Sequence, residues 1–468
     1  MKRKKYSDYK TQQLKFLKRL SFLALMAVMF ACSDFVEVEP PKNVLISETV
    51  FNDPATVESA LANIFYKIME QGMVSGRNGL TSLMGIYSDE LDYYGFNVNH
   101  LQYYNHNLSP SNTTVLNWWS SAYNAVYAAN DIISGVDNSS ILTLEEKNRF
   151  RGQALFIRAY IHSLLLNIYG DVPYITTTNY LENNSVSRTP TSMVVNNIIS
   201  DLTSAETLLE GVSTEGEHIL PSQSAVRALL ARTYLYTEEW DSAETTASQL
   251  INTHSLEPNI SSVFLKGSQE TLWQLKPGDN PVNTHEANEL TIQQIPGQRY
   301  ALTHALLDSF EAGDLRLTNW IGSATSSDGS ATLYFAQKYK ATFTETESLE
   351  YSIIFRLAEQ YLIRAEARAR LGNISGAQQD LNTIRNRAGL TDSSASSVND
   401  LLDAILHERR VELFCEQGQR WSDLKRTGNA ASVLSLVKPN WQETDVLLPI
   451  PESELEVNPN LLPQNSGY

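Results

Sequence analysis

Two stretches of this chain repeat one arrangement of small residues, and that arrangement predicts closely packed pairs of helices. Ala231 and Ala243 lie twelve residues apart in the first stretch, and Ala365 and Ala377 have the same spacing in the second. Apolar side chains recur at helical intervals around these alanines. Small side chains at matching positions let two antiparallel helices approach each other closely. We therefore predict a helical hairpin in each stretch.

The predicted hairpins resemble those of tetratricopeptide repeats, in which small residues have a similar spacing. They fall at about residues 222–253 and 354–388, and because 134 residues separate the two copies they do not form a tandem array. Long segments rich in Gly, Asn, Ser, Thr and aromatic residues interrupt the helices, chiefly at about 72–117 and 254–350. Ordered loops of this length tend to carry function. The sequence predicts a mainly α fold: dispersed tetratricopeptide-like helical hairpins forming a single scaffold, with long irregular loops and a few short β-hairpins.

The N-terminus has the organisation of an export signal. Eight Lys and Arg residues and one acid precede an apolar run at residues 20–31, and Cys32 follows. The run is too short to span a bilayer. The segment Met29-Phe-Ala-Cys32 resembles the lipobox of bacterial lipoproteins, although its first two residues depart from the usual pattern. We predict a lipoprotein signal peptide at 1–31, a tether anchored through a lipid on Cys32 at 32–50, and one helical domain at 51–468.

Net charge divides the chain into two unlike parts. The whole chain carries −17, but residues 1–31 contribute +7, so the remainder carries −24. Nucleic-acid-binding proteins need a surplus of Lys and Arg to displace counterions from phosphates. The acidic remainder therefore argues against a nucleic-acid partner. If Cys32 is lipidated, Cys415 is the one cysteine left, and no intramolecular disulfide is possible.

Several motifs in the last quarter of the chain form a specific set. Residues 353–367 read Ile-Ile-Phe-Arg-Leu-Ala-Glu-Gln-Tyr-Leu-Ile-Arg-Ala-Glu-Ala, and residues 407–428 contain Glu-Arg-Arg, Glu-Leu, Gly-x-Arg-Trp and Asp-Leu-Lys-Arg elements. The chain ends with Leu-Pro-Ile-Pro-Glu-Ser-Glu-Leu, Asn-Pro-Asn-Leu and Gln-Asn-Ser-Gly-Tyr segments within 448–468. Together with Glu39-Pro40 and a helix near Phe51, these motifs resemble SusD/RagB-type outer-membrane lipoproteins of Bacteroidetes-type bacteria. The resemblance covers essentially the whole chain after Cys32.

The charged residues of these motifs are predicted to be structural. Glu408, Glu412 and Glu416 share one predicted helix with two arginines, and pairs three or four residues apart give only modest support. A second group can form buried or half-buried ion pairs that fix the packing of the last hairpin: Arg420, Asp423, Lys425 and Arg426. A catalytic role for Glu408 or Glu412 is the weaker interpretation.

The resemblance implies a function as well as a fold. Members of this family are non-enzymatic, lipid-anchored proteins exposed on the surface of the outer membrane. They capture oligosaccharides and close over a SusC-like TonB-dependent β-barrel transporter, which imports the ligand. By this resemblance we expect a glycan ligand, a transporter partner, a membrane anchor, and neither a cofactor nor a metal ion.

An aromatic segment inside the first long loop is the main candidate for the ligand site. Residues 87–127 hold ten aromatic residues in 41 positions. Sugars present apolar faces that stack on rings, and hydroxyls that bond to amides. Trp119, Tyr123 and Tyr127 recur every four residues and are predicted to form a buried helix face. The candidate ligand contacts are Tyr93, Tyr94, Phe96, Asn97, Asn99, Tyr103 and Tyr104.

Three further candidates come from the second long loop: Arg299, Tyr300 and Trp320. For Trp320 a packing role is the stronger alternative, and the aromatic loop near residue 100 can equally be an Ω-like loop packed on its own rings. Trp273, on an apolar run, is predicted to lie in the core.

Two other functions remain open at this stage. A peptide- or protein-capturing lid of the same transporter type fits the hairpin scaffold. A surface glycoside hydrolase is the other alternative, because Asp89, Glu90 and Asp92 cluster beside the aromatic loop and paired carboxylates can hydrolyse a glycoside. The sequence has no phosphate-binding Gly-rich loop, no His-Glu-x-x-His zinc motif and no Gly-x-Ser-x-Gly motif.

Overall fold

Helices dominate the part of the chain that the structure, a computed structural model, describes, namely residues 50–212 and 216–468. Residues Val50–Tyr468 cluster as one unit. The predicted signal peptide, the lipidated Cys32 and the tether up to residue 49 lie outside the described residues.

Nine helices lie in the first half of this unit, counted over the residues that the structure describes. They are α1 (Pro54–Glu70), α2 (Leu80–Tyr87), α3 (Val98–Tyr104), α4 (Thr113–Asn138), α5 (Leu144–Tyr169), α6 (Tyr180–Asn183), α7 (Thr191–Leu208), α8 (Gln223–Tyr236) and α9 (Trp240–Ile251). Side chains cap several of them, as when Thr143 and Glu146 form a reciprocal capping box at the start of α5.

The second half also contains nine helices, which are shorter on average. They are α10 (His285–Leu290), α11 (His304–Leu307), α12 (Leu315–Asn319), α13 (Leu357–Arg370), α14 (Ile374–Arg387), α15 (Val398–Glu412), α16 (Gln419–Arg426), α17 (Ala430–Val437) and α18 (Glu452–Val457).

Six short strands pair in three antiparallel ribbons, all of which involve the second long loop. β1 (Leu91–Tyr93) pairs with β3 (Tyr300–Leu302), β2 (Thr271–Leu275) with β6 (Ser352–Arg356), and β4 (Ile321–Thr325) with β5 (Thr332–Ala336). β6 occupies residues that the periodicity assigned to the start of a helix at 354. Trp273 of β2 is completely buried, which confirms its predicted place in the core.

The two predicted hairpins are present, and they pack against each other. Helices α8 and α9 form the first and α13 and α14 the second. The alanines of the twelve-residue spacing are all fully buried: Ala231, Ala243, Ala365 and Ala377. Ile363 and Ala367 of α13 join a core cluster with Ala231 of α8 and Ala243 of α9. Contact between segments that are far apart in sequence confirms the predicted scaffold of dispersed helical hairpins.

A buried network of charges attaches the long second loop to the last hairpins, with Glu412 at its centre. Arg356 Nη1 donates to Glu412 Oε1 at 2.6 Å and Arg316 Nη1 to Oε2 at 3.0 Å, while Arg387 donates a third, short bond. Burial alone would raise the pKa of Glu412, but the three guanidinium groups hold it well below its ordinary value. The carboxylate is therefore charged and fully paired inside the protein.

Three of the four residues of α16 that were predicted to form ion pairs do so: Arg420, Asp423 and Arg426. Lys425 instead donates to the carbonyl of Asn167. Asp423 accepts from Arg409 and from Arg426 at 2.8 Å each, and Arg426 also binds Glu366 of α13. The partners of Glu412 differ from the expectation of pairs within one helix, because they come from α12, β6 and α14. These ion pairs therefore join different elements of the fold.

Candidate ligand-binding cleft

Pairing of β1 with β3 joins the two long loops that carry the candidate residues. Tyr93 lies opposite Tyr300, and just beyond the last pair Tyr94 N–H donates to the carbonyl of Arg299 at 2.9 Å. Two segments about 200 positions apart in sequence are thus fixed side by side. Their residues open onto one shallow cleft of about 690 Å³.

The segment between β1 and α3 presents the aromatic side chains of this cleft. A Cβ at Gly95 would lie 2.4 Å from the Tyr93 hydroxyl, so a larger residue at this position would have to displace that ring. Asn97 then caps α3, its side-chain oxygen accepting from the N–H of Asn99 at 2.9 Å and of His100 at 3.3 Å. Phe96 between these fixed points is 95% exposed, and Tyr94 is 41% exposed. Two exposed rings therefore lie on a segment that is fixed at one end by β1 and at the other by the cap of α3.

The cleft also carries charged side chains. Glu289 of α10 is buried, and its carboxylate binds the guanidinium of Arg299 in a short bond and that of Arg77 at 3.3 Å. Arg77 and Arg299 are both exposed, so each keeps donors free for another group. Glu289 thereby aims two cations into the cleft.

His100 supplies a neutral polar group at the floor. Its Nε2 lies 2.8 Å from the side-chain oxygen of Asn78, and its Nδ1 lies 3.3 Å from the Tyr300 hydroxyl. Burial, assisted by the positive charge of Arg299, lowers the pKa of His100 to about 4. The imidazole is therefore uncharged at neutral pH, and both of its nitrogens already have partners.

Five of the sequence-predicted residues line this cleft: Tyr93, Tyr94, Phe96, Asn97 and Arg299. Two others lie outside it and have partners within the protein. The Asn99 amide donates to the Thr113 hydroxyl at 2.7 Å, and the Tyr104 hydroxyl donates to Asp92 at 3.0 Å.

Three predicted ligand contacts are wrong, because their side chains are buried. Tyr103 has no exposed surface, and its ring packs between Tyr87 and Trp118. Tyr300 is also buried, and its hydroxyl contacts Nδ1 of His100. The indole of Trp320 lies in the core, where its N–H donates to the carbonyl of Ile260 at 2.9 Å, as the packing interpretation required.

Sequence reasoning missed six side chains of the cleft: Arg77, Asn78, His100, Glu289, Pro296 and Gln298. Arg77 and Asn78 stand between Gly76 and Gly79 in the first long loop, and a charged residue in such a turn is a usable signal. Glu289 carries no signal of this kind, because an acidic residue on a short helix usually faces solvent.

The carboxylates that suggested hydrolysis do not line this cleft. Asp89 is buried and accepts from Arg420 at 2.7 and 2.9 Å and from Arg410 at 2.7 Å. Glu90 is buried too and accepts from the N–H of Cys415 at 3.1 Å. Both therefore link the first long loop to the C-terminal helices. Within the described ranges, no group of three or more His, Cys, Asp or Glu side chains is arranged to hold a metal ion.

Replacing Glu90 with glutamine should stabilise the protein increasingly as the pH rises. Burial, together with the charge of Asp89, raises the pKa of Glu90 to about 7 from 4.5. The folded protein then holds a proton that the unfolded chain releases above about pH 4.5, so wild-type stability falls between that pH and about 7. A shift of this size corresponds to roughly 3 kcal/mol.

Urea unfolding of wild type and Glu90→Gln at several pH values measures the difference. The advantage of the variant should grow from about pH 4.5 to about pH 7 and then level off. A difference that is constant across this range would show that Glu90 is not protonated in the folded protein.

Known proteins resemble this chain over nearly all of its length. A family model described as "Starch-binding associating with outer membrane" matches residues 34–235, and the model of the SusD family matches residues 246–468. The chain belongs to the SusD family. Among curated relatives, SusD-like protein P2 of Formosa agariphila is 26% identical, with the alignment covering 96% of this chain and 99% of the relative.

Solved SusD-like structures have the same fold. A SusD superfamily protein from Bacteroides vulgatus superposes with a TM-score of 0.80 at 20% identity, covering 90% of this chain and 100% of the other. A laminarin-binding SusD-like protein superposes with a TM-score of 0.75 at 22% identity, covering 89% and 99%. The mainly helical architecture is therefore that of the SusD family.

Proposed function

We propose that this SusD-family protein is a cell-surface glycan-binding lipoprotein that delivers oligosaccharides to a SusC-like TonB-dependent transporter. The observation that carries the proposal is that two exposed rings, Tyr94 and Phe96, line one cleft together with two exposed arginines. A structural relative named as laminarin-binding supports the choice of a glycan as ligand.

The chemistry of the cleft suits a sugar chain. The exposed rings offer flat apolar faces for the C–H surface of a pyranose ring. Arg77 and Arg299 offer guanidinium donors for hydroxyl or carboxylate oxygens, and Asn97 and Gln298 add amide groups at the edge. A shallow cleft rather than a closed pocket leaves room for a chain to continue past it.

A binding role without catalysis is favoured by the carboxylates of the cleft. Glycosidases need two carboxyl groups on either side of the scissile bond. Glu289 is the only Asp or Glu among the described residues that line the cleft, and two arginines already engage it. It therefore has neither the partner nor the free oxygens that hydrolysis requires.

The proposed location at the outer membrane rests on the N-terminus and on the family. The family model for residues 34–235 is described as associating with the outer membrane. In the part of the chain that the structure describes, no helix has the length and apolar character needed to cross a bilayer. We propose that a lipid on Cys32 anchors the protein, with the transporter as its partner.

A polysaccharide panel tests the binding activity. In native gels containing laminarin, starch, pectin or a mannan, we expect at least one polysaccharide to retard the protein while bovine serum albumin migrates normally. Incubation with the retarding polysaccharide should release no new reducing ends. Release of reducing ends would support the hydrolase, and selective depletion of peptides from a mixed pool of peptides and glycans would support the peptide-capturing lid.

A further inference from the structure

A second cleft lies on α4 and is lined by aromatic rings. It is separate from the cleft that contains Arg77, Arg299 and Glu289, which we call the charged cleft. It encloses about 330 Å³ between α4, the loop at 173–186 and the C-terminal segment around α18. Tyr127 is 48% exposed and Tyr180 is 65% exposed on its walls. Tyr127 was predicted to lie on a buried helix face with Trp119, and only Trp119 is buried. Tyr127, the last aromatic residue of that series, is therefore exposed to solvent.

The walls of this second cleft are fixed by hydrogen bonds between distant segments. The Asn458 amide donates to the carbonyl of Val186 at 2.8 Å, and the Asn460 amide donates to that of Ser185 at 2.7 Å. The Tyr123 hydroxyl donates to the carbonyl of Pro173 at 2.9 Å. These bonds therefore hold the segments that form the cleft in fixed positions.

The second cleft is also lined by polar side chains, one of which has an atom without a hydrogen-bond partner. The Asn183 amide donates to the carbonyl of Thr177, while its side-chain oxygen is buried without any partner. Buried polar atoms of this kind normally bind water or a ligand. Glu454 accepts a bond from Trp119, and burial raises the pKa of Glu454 above its ordinary value. Asn124 and Asn184 add exposed amides at the rim.

The charge of the second cleft differs from that of the first. Among its described lining residues there is no Lys, Arg or His, and Glu454 is the only carboxylate. A negatively charged ligand would find no cation there, and a sugar hydroxyl would find the exposed side-chain amides of Asn124 and Asn184. Rings for stacking, amides for hydroxyls and no cation together favour a neutral sugar.

The charged cleft lies near the start of α4, and the second cleft lies further along that helix. Thr113 begins α4 and accepts from Asn99, two residues from the Asn97 that lines the charged cleft. Tyr127 follows 14 residues later on that helix, which places it roughly 21 Å further along the axis. A ligand in one cleft therefore leaves the other free.

We propose that this aromatic cleft is a second carbohydrate-binding site, which holds a neutral mono- or disaccharide unit by stacking on Tyr127 and Tyr180. Its volume is at the small end of the range for ligand pockets, which matches a short saccharide unit. The proposal goes beyond the glycan capture assigned to the charged cleft and uses none of its residues.

Saturation-transfer NMR with four neutral disaccharides, namely cellobiose, maltose, laminaribiose and mannobiose, tests the second site. The protein should carry Tyr94→Ala and Phe96→Ala, so that the charged cleft is disabled. We expect at least one disaccharide to bind this variant, and the further replacements Tyr127→Ala and Tyr180→Ala to weaken that binding at least tenfold. Tyr334→Ala is the matched control, because this exposed tyrosine lines neither cleft.

Two results would overturn the proposal. One is that none of the four disaccharides binds the variant with the disabled charged cleft. The other is that binding survives the loss of both Tyr127 and Tyr180. Thermal unfolding of each variant checks that the fold is intact, which is expected because both tyrosines are largely exposed. The proposal for the charged cleft is tested separately. It would be contradicted if Tyr94→Ala and Phe96→Ala left polysaccharide binding unchanged.

Discussion

Replacing Tyr94 and Phe96 together with alanine is expected to weaken binding of the polysaccharide that the protein retains by a hundredfold or more. Both rings are exposed in the free protein, and a stacked sugar would cover them. Losing this burial and stacking for two rings corresponds to about 3 kcal/mol, which is about a hundredfold in the dissociation constant. Isothermal titration calorimetry measures the change directly.

The control for this experiment is again Tyr334→Ala, which removes an equally exposed ring from the β4–β5 ribbon. Its affinity should equal that of the wild type. Tyr103 is unsuitable for such a series, because alanine at this fully buried position would leave a cavity in the core. Unchanged polysaccharide affinity in the Tyr94→Ala, Phe96→Ala variant would rule out the charged cleft as the glycan site.

Replacing Glu412 with alanine should destabilise the protein more than any change on its surface. The variant would leave the guanidinium groups of Arg316, Arg356 and Arg387 facing one another without the carboxylate that they share. Removing one partner from a buried ion pair typically costs about 3–5 kcal/mol, because the remaining charge stays buried. Here three charges lose a partner, so a loss at the upper end of that range is expected.

Guanidinium unfolding monitored by tryptophan fluorescence measures the loss in free energy of unfolding. Glu210→Ala is the control, since Glu210 is exposed and a surface change should stay within about 0.5 kcal/mol. A loss of under about 1 kcal/mol for Glu412→Ala would mean that the arginines find other partners or admit water.

The sequence predicts the helices well because their physical signals are local. The apolar faces and the alanine spacing lie within single hairpins, so the pattern around Ala365 and Ala377 predicts α13 and α14 to within a few residues. Their packing against α8 and α9 had no such signal. It depends on which hairpin faces match in three dimensions, and residues far apart in sequence determine that match.

The candidate cleft is harder to predict, since it is formed by contacts between distant segments. The three-residue strands β1 and β3 are too short to recognise, yet their pairing brings Arg299 beside Tyr94. Composition marks the aromatic loop, but it cannot tell the exposed Phe96 from the buried Tyr103. That difference depends on the path of the backbone between β1 and α3, which leaves one ring exposed to solvent and places the other in the core.

The bonds between the first long loop and the C-terminal helices also determine when this chain can finish folding. Asp89 and Glu90 take their partners from Arg420 and Cys415, more than 320 residues later, and Tyr87 binds the carbonyl of Asp445. Contacts of such high sequence separation form late and slowly. A nascent chain lacking its last 60 residues would lack Arg410, Cys415 and Arg420, and the two carboxylates would have none of these partners. This topology delays closure until nearly the whole polypeptide has emerged, which would suit the proposed export of the chain in an unfolded state.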